Sequence, residues 1–285
     1  MMTDPLTGTK LMAFDYDGTL APATGIPSER MRAALYQANQ NGCMLVLVTG
    51  RVFSMLPASV TRMPFAFFIT SNGARITEGG TLKTLACSPL PQDVALSVLD
   101  RMQAMHAVCN VFIDGQAYFD ASSLRVLRGI PSMNFFIRVK RLADFLSHTT
   151  FVKDLRRTVE RTSGNIEKMV GAFAHADECA QTLQSLKQNS AIEIVSTQGT
   201  DLEITVRGIT KGKSLEKLYQ QLGFSKEQVI AFGDSGNDLS MIETTGYFIA
   251  PQNATAEIQA LANRIVPDVR EDGVAQVIEE LYRTY

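Results

Sequence analysis

The sequence predicts an α/β fold: a Rossmann-like, doubly wound, mainly parallel sheet forming a core, interrupted by an inserted α+β module. Three observations carry that expectation. The apolar runs at residues 11–14, 44–48, 65–69 and 229–232 are short and uninterrupted, as in strands that helices cover on both faces. Helical patterns alternate with these runs towards both ends of the chain. Between about residue 82 and about residue 203 the texture changes to short strands and hairpin signals around a few helices.

Taken in order, residues 11–14 form the first strand. Pro27-Ser28-Glu29 then opens an amphipathic helix through about Asn39, with Met31, Ala34, Leu35 and Ala38 on one face and Asn41-Gly42 as its stop. A strand at 43–48 follows, then a short helix within 51–63 interrupted at Pro57, then a third strand at 65–69. Ser88-Pro89-Leu90-Pro91 marks a break. Beyond it, residues 94–105 read as helix, and 107–113 and 116–119 as strands joined by the hairpin pair Asp114-Gly115. Residues 134–139 and 164–174 look strand-bearing, and 151–161 and 177–187 look helical. Strands at 191–196 and 202–206 bracket the turn Gln198-Gly199-Thr200. The alternating pattern then resumes, with a helix at 211–222, a strand at 229–232, a helix at 238–244, a strand at 247–250, and helices at 254–261 and 274–283. The expected division is a core at 1–82 and 206–285, with the α+β module at 83–205.

A chain of 285 residues with 45% hydrophobic residues is long and apolar enough for one large or two modest domains. A formal net charge of −2 and a pI near 6.0 give no bulk attraction to nucleic acid or to an anionic membrane. Residues 1–10 are polar, contain Pro5 and Gly8, and lack the apolar core of a signal peptide; no run elsewhere reaches membrane-span length, so a cytoplasmic location is expected. Cys43, Cys87, Cys109 and Cys179 show no C-x-x-C spacing, and His106, His148 and His175 are equally dispersed, so neither a disulfide frame nor a zinc cluster is indicated. One local charge excess lies in the module: Arg128, Arg138, Lys140, Arg141, Lys153, Arg156, Arg157 and Arg161. It reads as a solvated surface, or as cations reaching towards a polyanionic substrate.

The chemistry is concentrated in two acidic clusters. Asp15-Tyr16-Asp17-Gly18-Thr19-Leu20 follows the first strand, and Gly233-Asp234-Ser235-Gly236-Asn237-Asp238 follows the strand at 229–232. Ligands of open parallel sheets bind outside the carboxyl ends of the strands. Carboxylates concentrated there call for a positive partner, and a metal ion with an anionic substrate is the expected occupant.

With Thr49-Gly50-Arg51 ending the second strand and Lys211 opening a helix, these clusters resemble the four ordered motifs of the haloacid dehalogenase superfamily of phosphohydrolases. The wide gap between the second and third motifs, together with Ser71-Asn72-Gly73-Ala74, resembles the Cof-type subfamily (IIB), which carries a large C2 cap. The resemblance implies a phosphoric monoester hydrolase. In it Asp15 is the nucleophile, Asp17 the general acid and base, and Lys211 the cation that neutralises Asp15 and the phosphate oxygens. It assigns Mg2+ to the Asp15 carboxylate, the Asp17 backbone carbonyl and the Asp234 carboxylate. Thr49, Gly50, Arg51 and Asn237 fall to the phosphate or substrate, and Asp238 to orienting Asp234. The substrates implied are sugar phosphates or other small phosphorylated metabolites. A phosphosugar mutase of the same superfamily and a non-catalytic phospho-acceptor are the alternatives.

Overall fold

Four apolar residues with no exposed face, Leu11–Phe14 (β1), lie in the interior of a parallel sheet, hydrogen-bonded to strands on both sides. The computed structural model describes residues 8–22, 25–120, 149–196 and 199–282. The chain divides into two units. One comprises Met1–Gly50, Leu56–Ala86 and Thr210–Tyr285, the other Arg51–Met55 and Cys87–Ile209.

After β1 come α1 (Glu29–Gln40), β2 (Met44–Val48), α2 (Ala58–Thr61), β3 (Phe65–Thr70), β4 (Arg75–Glu78) and β5 (Thr84–Cys87). Ser28 caps α1 by accepting the Met31 N–H, and the buried face is Met31, Ala34, Leu35 and Ala38, as the periodicity requires. The intervening segment contains α3 (Gln92–Ala104), β6 (Val108–Ile113), β7 (Gln116–Asp120), β8 (Thr149–Val152), α4 (Leu155–Arg161), β9 (Ile166–Ala172), α5 (Ala176–Leu186), β10 (Ile192–Val195) and β11 (Asp201–Val206). The chain then continues through α6 (Lys211–Gln221), β12 (Val229–Phe232), α7 (Leu239–Thr244), β13 (Tyr247–Pro251), α8 (Ala256–Leu261), β14 (Arg264–Val266) and α9 (Gly273–Leu281).

Among the described residues the first sheet has the order β14-β13-β12-β1-β2-β3-β4-β5, parallel from β14 to β3 and antiparallel at β3–β4. The chain runs outward from β1 to β3, then returns to lay β12 on the other side of β1. This reversal of strand order falls at β1 and β12, and ligands of open parallel sheets bind outside the carboxyl ends of the strands at such a point. The second sheet has the order β10-β11-β9-β6-β7-β8 and is antiparallel except for the β7–β8 pair. The Asp114-Gly115 hairpin has both residues at positive φ (47° and 79°), the backbone that a two-residue turn between twisted strands demands.

The structure departs from the sequence reading in several places. β4, β5 and β14 carry no strand signal in the sequence: they are strands of three or four residues that the apolar-run criterion passes over. The helical segment within 51–63 is interrupted at Pro57 as expected, since proline fits only at a helix start, but the part before it is a 3₁₀ turn at Phe53–Met55 and only α2 after it is α-helical. Phe151 and Val152 are strand rather than helix, since Asp154 caps α4 by accepting the Arg157 N–H. The strand expected at 134–139 and the cations Arg128, Arg138, Lys140 and Arg141 lie outside the described residues. Among the described residues no helix is long and apolar enough to cross a membrane.

Candidate active site

Strand pairing brings the motifs of the first unit together. Phe14 is in register with Leu47 on one side and Phe232 on the other, so Asp15, Thr49 and Gly233 leave adjacent parallel strands at the same end. The Asp15 N–H donates to the Phe232 carbonyl at 2.9 Å, which fixes where the turn begins. Phe14 and Phe232 stack with ring centroids 4.8 Å apart, tying β1 to β12 directly beneath the two acidic turns.

Gly18 shapes the first turn. Its φ is +87°, and a Cβ there would lie 2.4 Å from Asp234 Oδ2, so only glycine lets the backbone approach that carboxylate. Two further bonds hold the juxtaposition: Thr19 Oγ1 donates to Asp234 Oδ1 at 2.8 Å, and Asn253 Nδ2 donates to the Gly18 carbonyl at 2.7 Å.

Lys211 is the first residue of α6, whose N-cap Thr210 accepts the Lys213 N–H. Its Nζ donates to Asp15 Oδ1 at 2.5 Å, to Asp238 Oδ1 at 2.7 Å and to Asn237 Oδ1 at 3.0 Å. All three ammonium protons are thereby committed, and the side chain is fully buried. Asp238 uses its other oxygen, Oδ2, to accept the backbone N–H groups of Asp234 at 2.9 Å and Ser235 at 3.1 Å. One carboxylate thus anchors both the lysine and the turn that presents Asp234.

Burial dominates the electrostatics. It raises the Asp15 carboxyl well above its ordinary range; Lys211 pulls it down, while Asp238 and Asp234 push it up again. Asp234 is raised to about 6, first by burial and then by the charge of Asp238. Burial works against the Lys211 ammonium, but Asp15 and Asp238 more than offset it and its pKa lies above the ordinary value. Oxygens of Asp15, Asp234 and Asp238 lie within 4.8 Å of one another. Such a group is short of positive charge and offers only hard oxygen donors, which suits a divalent cation such as Mg2+ or Ca2+. Asp238 spends both of its oxygens on Lys211 and the backbone, leaving Asp15 and Asp234 as the carboxylates able to hold an ion.

The other sequence-predicted residues divide between the units. Thr49 is buried, with its N–H on the Ile69 carbonyl and its own carbonyl accepting the Asn72 N–H. Asp17 and Gly50 are half-buried in the same unit, and the Asp17 carboxylate is not one of the three clustered acids. Arg51 belongs to the second unit, where its guanidinium donates to the Met55 carbonyl at 3.2 Å. Residues outside the four motifs also contribute. Asn72, at φ 56°, accepts from Asn237 Nδ2 at 3.2 Å, and Ser214 Oγ donates to the carbonyl of Gly73, whose φ is +106°. The Ser-Asn-Gly stretch was a visible signal for that loop; nothing marked Asn253.

The family model of haloacid dehalogenase-like hydrolases matches residues 12–278. The chain is similar to the 5-amino-6-(5-phospho-D-ribitylamino)uracil phosphatase YcsE of Bacillus subtilis (strain 168), at 28% identity over 271 residues, covering 94% of each chain. It is likewise 28% identical over 280 residues to the pyridoxal phosphate phosphatase YbhA of Escherichia coli (strain K12), covering 95% of this chain and 97% of that one. Among solved structures, a haloacid dehalogenase-like hydrolase from B. subtilis superposes with a TM-score of 0.84 at 22% identity, over 96% of this chain and 100% of the other. A sugar phosphatase of HAD subclass IIB gives a TM-score of 0.76 at 23% identity, over 95% and 98% of the two chains. The fold, the matched span and the relatives agree, and the chain belongs to the haloacid dehalogenase-like hydrolase family.

Proposed function

We propose that this phosphatase is a magnesium-dependent phosphomonoester hydrolase that acts through an aspartyl-phosphate on Asp15. The observation that carries the proposal is the seating of Asp15 at the end of β1, with one oxygen held by a fully committed lysine and Asp234 beside it. A phosphate monoester repels nucleophiles through its own negative charge, so the site must position the attack, neutralise charge and protonate the leaving group. Lys211 fixes one Asp15 oxygen, and the other attacks phosphorus in line. Asp17 protonates the departing alkoxide and then takes a proton from the water that hydrolyses the acyl phosphate. Thr49, Gly50 and Asn237 bind phosphate oxygens, while Asp238 holds Lys211 and the Asp234 turn in place. Asp15, the Asp17 carbonyl and Asp234 would hold Mg2+, which when bound supplies charge neutralisation for the phosphate oxygens. The relatives named for pyridoxal phosphate and ribitylaminouracil phosphate support a small phosphorylated metabolite, sugar phosphates included, as the substrate class. A phosphate-release screen over such a panel, with magnesium and with EDTA, tests the reading. Turnover that persists in EDTA contradicts it.

Asp17→Asn is expected to lower turnover by about 100- to 10,000-fold, the range for lost acid–base catalysis, while sparing magnesium affinity, because its assigned ligand is a backbone carbonyl. Kinetics with parallel magnesium titration separate the two properties, and normal turnover contradicts the role.

The raised carboxyls make a further statement about pH. Asp234 is protonated in the metal-free fold up to about 6, against an ordinary value of 3.8. In that window the folded state binds more protons than the unfolded one, so metal-free stability falls as pH rises through it. Magnesium competes with those protons. The rise in melting temperature on adding magnesium is therefore expected to be small at pH 5 and clearly larger at pH 7.5, as measured by thermal unfolding. An equal rise at both pH values contradicts the placement of the ion at Asp234.

A further inference from the structure

The second unit holds an open cavity of about 510 Å³ beside α4, and its rim carries Lys153, Arg157 and Arg161. These three cations come from the charge excess noted in the sequence, and the structure separates them from the others. Arg156, on the flank of α4 that faces α3, is paired with Asp100 at 3.0 Å and with Glu160. Lys168 is buried against Glu203 at 3.1 Å. Lys153, Arg157 and Arg161 make no ion pair and no side-chain hydrogen bond among the described residues. Asp154, the acid on the same rim, is occupied as the N-cap of α4 through its Oδ1 and the Arg157 N–H. Tyr118 and Ile113 line the cavity as well and give it an apolar wall.

The cavity also has a definite place within its own unit. Ile113 and Tyr118 belong to the apolar cluster that the helices of this unit cover, whereas their chain neighbours Phe112 and Ala117 point to the other face of the sheet. The segment that leaves Thr49-Gly50 packs on that other face, with Val52 and Met55 against Phe112 and Ala117. The cavity and the segment leading from the phosphate-binding motif therefore occupy opposite faces of one sheet.

We propose that this cavity binds a small organic molecule carrying two separated phosphate or carboxylate groups. Arg157 and Arg161 stand one turn apart, about 6 Å along the helix, and Lys153 lies a further four residues back in sequence. A single phosphate is too small to meet all three; two anionic groups joined by a short organic frame reach them, with the frame against Tyr118 and Ile113. The volume lies within the range of small-molecule sites. This site is independent of the assignment of Asp15.

Titration calorimetry on the full chain in EDTA tests the proposal, because the metal-free acids Asp15, Asp234 and Asp238 repel anions from the other site. The probes are a hexose bisphosphate, citrate and inorganic phosphate. The expected result is saturable binding of the bisphosphate or of citrate, at least about tenfold tighter than inorganic phosphate, and weakened about tenfold or more by Arg157→Ala with Arg161→Ala. The preferred probe assigns the anionic group. Arg156→Ala, on the paired flank, is expected to leave binding unchanged. Lys153 acetylation footprinting on the unmutated chain supplies a second reading, with protection expected when the bound probe is present. Absence of saturable binding at millimolar probe, equal binding of inorganic phosphate, or an equal loss in Arg156→Ala overturns the site.

Discussion

Asp15→Asn is expected to abolish phosphate release while leaving the chain folded. The asparagine keeps the shape of the side chain and can still accept from Lys211 through its one oxygen, but the attacking oxygen is replaced by an amide nitrogen that is not a nucleophile. Folding is expected to survive because the change removes one negative charge from a buried group of three acids, which desolvation and mutual repulsion already oppose. Circular dichroism and a melting curve check the fold, and a phosphate-release assay under saturating magnesium checks the chemistry. A purified Asn variant that still turns over rules out the covalent route.

Lys211→Met is expected to damage both activity and stability, and this combination distinguishes it from the Asp15 variant. Methionine preserves the bulk of the chain but leaves Asp15 and Asp238 buried beside each other without their common cation. Breaking a buried pair from one side costs roughly 3–5 kcal/mol, since the remaining charges stay desolvated. Turnover is expected to fall by at least about 100- to 1,000-fold, as when a preorganised donor to developing charge is lost. Urea unfolding in EDTA reads the first effect and phosphate release reads the second. A variant as stable as the parent would mean that the ammonium is not the counter-ion that the geometry describes.

Much of this architecture is written locally in the chain. The runs at β1, β2, β3 and β12 contain no exposed residue, so apolar continuity alone finds them. Asp114-Gly115 announces its turn because few residues tolerate two successive positive φ values. Short edge strands carry no such signal: β14 is three residues with Ile265 exposed, and β5 begins with exposed Thr84 and Leu85. The candidate site divides in the same way. Asp15, Lys211 and Asp234 stand out because acids and a lysine recur in a fixed order beside strand and helix ends. The contacts that hold them are invisible in sequence, since Thr19 reaches Asp234 across 215 residues, Asn237 reaches Asn72 across 165, and Asn253 reaches Gly18 across 235. Only the strand order that places β12 next to β1 brings those partners into range.

The claim at the centre of this account is that phosphorus undergoes two displacements, the first by Asp15 and the second by water. Each in-line displacement inverts configuration at phosphorus, so two in succession restore it. The measurement that tests this most directly is the stereochemical course of hydrolysis of a phosphorothioate monoester that the enzyme turns over with magnesium, its non-bridging oxygens being different isotopes and the water carrying the third, so that the released thiophosphate is chiral whether or not an intermediate accumulates. The account predicts thiophosphate released with retention of configuration. Inversion would mean that water attacks phosphorus directly and that Asp15 is never phosphorylated.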